Sequence, residues 1–255
     1  MVFMKVVRNL FMVGILLMPA VSRAAHPLIT DDTGTQGMGH FQLEVNGQYD
    51  CNNENGINST GGQTDATLTY GIADTIDLAV GIPYQWINES SGLTNSSENG
   101  FSDMVVDVKW RFFENNGFSL ALKPGVSLPT GDDQKGLGTG DVGYHMYLIG
   151  TKEAAPWAFH MNLGYIYNDN KLDEEKDLWH ISFATTYEII KDLKIVADIG
   201  ADKNVDKDAD NDPAFVIGGL IYTLTDDFDI DCGVKYGLTS SETDLSWLAG
   251  MTFRF

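Results

Sequence analysis

The final eleven residues of the chain, from Leu245 to Phe255, alternate with a period of two. The odd positions carry Leu245, Trp247, Ala249, Met251, Phe253 and Phe255. Ser246, Thr252 and Arg254 fall on even positions. Successive side chains of a strand point to opposite faces of the sheet. The chain is therefore predicted to end in a strand that meets an apolar solvent on one face and water on the other.

The first 24 residues have the composition of a secretory signal peptide. Lys5 and Arg8 precede an apolar run at 10–18, and small residues surround Arg23. This order of basic, apolar and small residues is the signature of an export signal. The run is shorter than the roughly 20 residues that a membrane-spanning helix needs. A buried N-terminal helix is the alternative.

The chain is strongly acidic, with a formal net charge of −20. Removal of residues 1–24 takes away three basic residues and no acid, so the charge falls to −23. Such a balance argues against nucleic acid as a partner. Cys51 and Cys232 are the only cysteines, which is too few for a disulfide scaffold.

The rest of the chain contains twelve segments that alternate like strands, and no convincing helix. They run approximately over 38–50, 62–72, 75–88, 101–113, 118–129, 141–150, 156–168, 177–189, 193–202, 213–224, 228–238 and 245–255. The register of the tenth, apolar on both faces, stays open. Short turns alternate with longer polar loops, at about 51–61, 89–100, 130–140, 169–176, 203–212 and 239–244.

This layout predicts an all-β protein, a transmembrane antiparallel up-and-down β-barrel of about 12 strands with both termini in the periplasm. The predicted parts are a signal peptide at 1–24, an N-terminal periplasmic segment at 25–37 and an outer-membrane barrel at 38–255. The stretch 30–35 of the middle part could lie at or inside the periplasmic mouth of the barrel. Phe253 and Phe255 are predicted to be the assembly signal for the barrel assembly machinery of a Gram-negative bacterium. Outer-membrane lipid and lipopolysaccharide are the expected surroundings.

Aromatic residues cluster at two heights along the predicted strands. Trp86 and Trp179 lie near loop ends, whereas Tyr70, Trp157 and Phe253 lie near turn ends. Two such rings match the interfacial girdles of membrane barrels. The alternative, a soluble sandwich or lipocalin-like barrel, would bury its apolar row inside.

Charged side chains occupy the face of the strands that is predicted to point into the lumen. The candidate pore-lining residues are Glu44, Asp103, Asp107, Lys109, Arg111, Lys123, Asp198 and Lys235. If Phe112 pairs with Phe118, Asp107 lies opposite Lys123. The turn after the eighth predicted strand likewise places Glu188 opposite Lys194. These charges could hold the wall together, set the selectivity of a pore, or do both.

An acidic stretch in the loop at 203–212 offers a weak calcium candidate. Its oxygen-bearing side chains at alternate positions are Asp202, Asn204, Asp206, Asp208 and Asp210. Alternating carboxylate and amide oxygens suit hard cations. The stretch fails the EF-hand pattern because Lys207 and Pro213 replace the required Gly and Glu. A solvated loop is the alternative, and a bound cation could bridge to lipopolysaccharide phosphates.

One pair of residues suggests catalysis. His180 and Ser182 share a strand face, and a His-x-Ser pair resembles the active strand of the outer-membrane phospholipase A family. That family's site faces lipid, whereas this pair points inward, and no third member is identifiable in the sequence. His145 and His160 also point inward on separate strands, which is a weak metal signal. We expect no enzyme, no metal site and no cofactor.

Several stretches together resemble a known family. They are residues 26–37 with Phe41-Gln-Leu-Glu44, 122–131 with 135–140, Asp212-Pro-Ala-Phe215 and Gly250-Met-Thr-Phe-Arg-Phe255. The chain resembles the MetA-pathway of phenol degradation family of outer-membrane barrels. The resemblance implies an outer-membrane protein that acts as a transporter, sometimes linked to aromatic or other hydrophobic compounds. The family has no catalytic residues to carry over.

These observations predict an outer-membrane channel through which small molecules pass down their gradient. The alternatives are a surface-binding barrel with acidic extracellular loops and a closed lumen, or a purely structural barrel. Charges of both signs in the lumen favour the pore, and the acidic loops favour surface binding.

Overall fold

The computed structural model describes residues 26–54, 57–91 and 94–255. The strands are β1 Phe41–Glu54, β2 Ile57–Ala73, β3 Ile76–Ser91, β4 Thr94–Phe101, β5 Met104–Asn115, β6 Phe118–Leu128, β7 Gly143–Ala154, β8 Trp157–Tyr167, β9 Asp177–Ile190, β10 Leu193–Asp202, β11 Ala214–Thr225, β12 Phe228–Gly237 and β13 Leu245–Arg254. In this part of the chain no helix is long and apolar enough to cross a membrane. The signal peptide predicted at 1–24 lies outside the described residues and stays a prediction.

The strands form one antiparallel sheet that closes on itself. β1 pairs with β2 and also with β13, so that Leu43 lies opposite both Leu68 and Phe253. β4 and β5 pair with successive parts of β3 and together make one wall strand, interrupted at Ser102 and Asp103. The wall therefore has twelve strands, and the predicted transmembrane up-and-down barrel is confirmed.

The outside of the barrel is apolar and the inside is polar. In β7, for example, Tyr144, Met146 and Leu148 are exposed on the outer face, whereas His145 and Tyr147 are buried. A soluble barrel has its apolar side chains inside. The alternation seen in this chain is the reverse, which indicates that lipid surrounds the barrel. Closure leaves no free sheet edge in that lipid.

Two predicted loops are strand hairpins instead. Most of 51–61 extends β1 and β2, and most of 89–100 belongs to β3 and β4. These extensions are rich in Asn, Ser and Gly on both faces. They lack the row of apolar side chains that marks the rest of each strand, because such a row is needed only where a strand faces lipid. The alternation pattern therefore ended before the backbone pairing did.

One of the two predicted cross-strand charge pairs is right. Lys194 lies opposite Glu188, as expected. The other is wrong, because the turn after β5 is tighter than predicted and Asn115, rather than Phe112, lies opposite Phe118. A register shift between Arg111 and Phe113 then displaces the pairing by one residue. Asp107 consequently lies opposite Gly125.

The C-terminal residue closes the barrel at its turn end. Phe255 exchanges two backbone hydrogen bonds with Phe41, at 2.7 and 3.0 Å, and their rings stack with centroids 5.8 Å apart. Phe255 is otherwise exposed on the outer face.

We expect Phe255→Asp to impair insertion, because a charge at the closing seam hinders pairing of β13 with β1 and leaves an unpaired edge in lipid. Heat-modifiable gel migration of outer-membrane fractions measures the folded fraction. Phe255→Leu keeps the seam apolar and is the control. Equal folded fractions for the two variants would contradict the need for an apolar residue at the closing seam.

Candidate functional site in the barrel lumen

The charged residues that the sequence assigns to the lumen lie on the inner wall. The buried ones are Glu44, Asp103, Asp107, Lys109, Lys123, Asp198 and Lys235. Arg111 is half-buried near the turn end, where it pairs with Glu114 at 3.2 Å. Burial of so many charges requires partners for them.

The chief partner is the N-terminal segment, which the structure places inside the barrel. We call residues 26–37 the plug segment. It enters at the turn end, where Gly39 donates to the Gly71 carbonyl oxygen at 2.9 Å. It then runs along the inner wall, with its side chains buried between residues 26 and 33 except at Asp32. The stretch that the sequence predicted as periplasmic therefore fills the middle of the lumen.

Asp31 is the centre of the plug segment. Its two carboxylate oxygens accept hydrogen bonds from Lys109 Nζ and Lys123 Nζ, both at 2.8 Å. The register of β5 and β6 places these lysines side by side on the wall. The side-chain amide of Asn162 donates to the Asp31 carbonyl oxygen at 2.9 Å, and its oxygen accepts from the Asp31 N–H at 2.7 Å. One acid thus compensates two adjacent buried cations.

The other end of the plug segment is held by acids of the wall. Asp198 accepts from the backbone N–H groups of Ile29 and Thr30, at 2.7 and 2.8 Å, and from Thr30 Oγ1 at 2.7 Å. His26 pairs with Asp231. The wall therefore contributes positive charge at the middle of the segment and negative charge at its start.

Apolar contacts complete the attachment and explain the strand whose register the sequence left open. Phe215 and Ile217 of β11 point inward, where they pack with Ile29 and with Leu248 of β13. Pro27 approaches the wall so closely that a Cβ at Gly219 would lie 2.6 Å from its ring. β11 is apolar on both faces because one face meets lipid and the other meets the plug segment.

Further polar contacts brace the wall itself. Asp107, which was expected to pair with Lys123, instead bonds His145 Nε2 at 2.6 Å. Lys235 pairs with Glu242 at 2.9 Å. Both pairs are buried, so the structural interpretation of these charges has direct support in the contacts.

The inward His180 and Ser182 have a third partner that the sequence analysis missed. His180 Nε2 lies 2.8 Å from Ser182 Oγ, and its Nδ1 lies 2.6 Å from Asp202 Oδ1. Asp202 belongs to β10 and lies directly opposite His180, so strand register was the signal that could have found it. Ser182 is only 2% exposed, so its side chain is largely shielded from solvent in this structure.

The acidic loop forms local turns. Asp206 N donates to Asn204 Oδ1, and Asp208 N donates to Asp206 Oδ1, both at 2.9 Å. Lys203 pairs with Asp212 at 3.0 Å, and hydrogen bonding by Lys203 and Asn204 lowers the pKa of the Asp212 carboxyl against the opposing effect of its burial. Among residues 26–54, 57–91 and 94–255, no group of three or more His, Cys, Asp or Glu side chains could hold a metal ion. Calcium binding by Asp202 to Asp210 stays a prediction.

A closed barrel with an apolar exterior and a charged interior defines the class, a transmembrane β-barrel of the outer-membrane type. The chain belongs to the family described as "Putative MetA-pathway of phenol degradation", whose model matches residues 30–255. No curated protein sequence matches the chain.

Several solved outer-membrane barrels have a similar fold. A COG4313 outer membrane channel from Pseudomonas putida F1 is 15% identical, with a TM-score of 0.69 over 88% of this chain and 98% of that one. The NanC porin is 12% identical, with a TM-score of 0.59 over 83% and 98% of the two chains. The KdgM porin is 11% identical, with a TM-score of 0.56 over 84% and 99%.

We expect Asp31→Asn to lower the free energy of unfolding by about 3–5 kcal/mol, because it removes the buried carboxylate that bonds both Lys109 Nζ and Lys123 Nζ. Asp32→Asn is the matched control, since the Asp32 carboxylate accepts from Gly34 N at 2.6 Å and acts on Lys109 electrostatically without a hydrogen bond. Its effect should be clearly smaller than that of Asp31→Asn. Guanidinium unfolding in detergent, followed by tryptophan fluorescence, measures both. Equal stability of the two variants would contradict the central role of Asp31.

Proposed function

We propose that the protein is an outer-membrane channel for passive passage of small solutes, and that its own plug segment closes it. The observation that carries this proposal is a polar inner wall whose filling is a separate N-terminal segment attached by noncovalent contacts. The fold shared with channels and porins is consistent with the proposal.

Opening requires the plug segment to leave the wall while the barrel stays intact. Two glycines at its turn-end base, Gly37 and Gly39, have φ values of 80° and 87°. This left-handed conformation is readily available only to glycine, so the base can turn sharply between the plug segment and β1. The charges that hold the segment, chiefly Lys109, Lys123 and Asp198, then line the passage, where they interact with passing ions.

Aromatic or other hydrophobic solutes fit one side of the lumen. Tyr147, Ile149, Ile166 and Leu178 form a buried apolar cluster on β7, β8 and β9. The family description refers to phenol degradation. An aromatic solute agrees with this apolar cluster, although the description names no transported solute. Transport down a gradient needs no cofactor, and we propose no enzymatic activity.

The filled lumen favours a second candidate, a barrel that stays closed and binds partners through its acidic loops. Lys207 pairs with Asp173 at 2.7 Å and thereby joins two of these loops. Burial of the plug segment is extensive enough for permanent closure. A cross-link that can be made and removed separates the two candidates.

A disulfide between plug segment and wall provides this test. Thr33 Oγ1 and Ser119 Oγ lie 2.5 Å apart, so Thr33→Cys with Ser119→Cys should form a disulfide. Cys51 and Cys232 are free and are replaced by Ala in the background. In planar bilayers we expect low conductance when the pair is oxidised, and higher conductance after reduction or after deletion of residues 26–36.

The background protein with Thr33 and Ser119 intact is the control, and oxidant should not change its conductance. If deletion conducts no better than the oxidised protein, the channel proposal is wrong and the closed, surface-binding barrel is favoured.

A further inference from the structure

A cavity of the lumen lies toward the loop end, where His145 of the Asp107–His145 pair forms part of its lining. Its volume is about 50 Å³, and it is open to solvent at its mouth. This space holds an ammonium group or a few water molecules, and a longer ligand extends through the mouth. No residue of the plug segment lines it. The cavity is therefore present while the lumen is plugged.

One wall of the cavity holds a hydrogen-bond acceptor without a donor. Gln85 is 4% exposed, and its Nε2 donates to Gln63 Oε1 at 3.1 Å. Its own Oε1 is buried and receives no hydrogen bond from the described residues. A buried acceptor left in this state is costly. A ligand that donates a hydrogen bond in the cavity would satisfy it.

Two carboxylates line the same cavity, and no basic side chain of the described chain forms an ion pair with either. Asp103 accepts three hydrogen bonds from Gly131 and Thr139, at 2.8–3.0 Å. Glu174 accepts only a 3.2 Å bond from Asn168 Nδ2. Burial raises the pKa of the Glu174 carboxyl, and the nearby Asp206 adds to the rise while the Asn168 bond opposes it. The charge of Glu174 is therefore poorly compensated by the protein.

The other wall of the cavity is apolar. Ile166 and Leu178 are buried there, and Val205 packs against them. The cavity is lined by neither Lys nor Arg, and the Nε2 of its histidine, His145, is already bonded to Asp107. The lining thus combines acceptors and negative charge with aliphatic carbon.

We propose that this cavity binds small organic cations, that is, an ammonium group joined to an apolar ring or chain. The ammonium pairs with the Glu174 carboxylate, and its three donors also suit other acceptors of the lining, among which Gln85 Oε1 lacks a donor. The apolar part packs against Ile166, Leu178 and Val205. The negative charge of the whole protein concentrates cations at the mouth. As a solute-recognition site the cavity rests on the proposed channel function, but binding is measured without transport.

The ligand series tests charge and apolar contact separately on the unmodified protein in detergent. Titration calorimetry uses phenethylammonium, the neutral 2-phenylethanol, the anion phenylacetate and methylammonium. We expect phenethylammonium to bind tightest, by about tenfold or more over the alcohol and over methylammonium. Equal binding of the ammonium and the alcohol, tighter binding of phenylacetate, or no heat with any of the four would overturn the proposal.

Two variants locate the site. Glu174→Gln removes the charge with little change of shape, and Glu175→Gln is the matched control because Glu175 does not line the cavity. Glu174→Gln should weaken phenethylammonium binding by about tenfold or more, whereas Glu175→Gln should leave it unchanged. Heat-modifiable migration verifies that both fold. Equal affinity of the two variants places the ligand elsewhere and contradicts the proposal.

Failure here is distinct from failure of the channel proposal. Binding without conductance in the reduced cysteine variant would retain the cation site and reject the channel. Conductance without phenethylammonium binding would retain the channel and reject the cation site.

Discussion

Lipid offers no hydrogen bonds to the backbone, and most of this structure follows from that constraint. Every N–H and C=O group at membrane depth needs a partner in a neighbouring strand, so β13 returns to β1 and the sheet closes. Closure fixes an inside and an outside, and the period of two sends alternate side chains to each. Apolar residues then cover the outside, and the polar ones gather in a lumen.

A polar lumen creates a second requirement, because buried charges need compensation. Lys109 and Lys123 lie side by side on the wall, and Asp31 of the plug segment supplies the anion for both. Asp198 receives the backbone N–H groups of Ile29 and Thr30. The wall and the plug segment are complementary in charge, so each lowers the cost of burying the other. Departure of the segment therefore exposes these charges to water, together with the apolar surface of Phe215 and Ile217 that Ile29 covers.

Strand number, closure and the direction of side chains could be predicted from sequence, because lipid imposes a pattern that each strand displays locally. Lys194 and Glu188 were correctly placed opposite each other. Prediction failed where no pattern marked the boundary of a strand. The turn after β5 is tighter than its polar residues suggested and moved Asp107 away from Lys123, and the polar extensions of β1 to β4 had no apolar row to mark them.

The lumen site was harder to predict, since its contacts join distant parts of the chain. Asp31 bonds lysines that lie 78 and 92 residues further on. Asp202 reaches His180 only through the pairing of β9 and β10. Inward charges could be identified from the alternation, but their partners could not, because nothing in a strand pattern shows what fills a lumen.

The route of the plug segment also bears on the order of assembly. Its contacts are spread around the inner wall, from Asp77 on β3 to Asp231 on β12, and a Cβ at Gly250 of β13 would lie 2.6 Å from His26 Nδ1. The surface that receives the segment is therefore complete only after the last strand has joined the first. Closure of the sheet and full attachment of the plug segment are therefore coupled, because the contacts of His26 need both β12 and β13 in place.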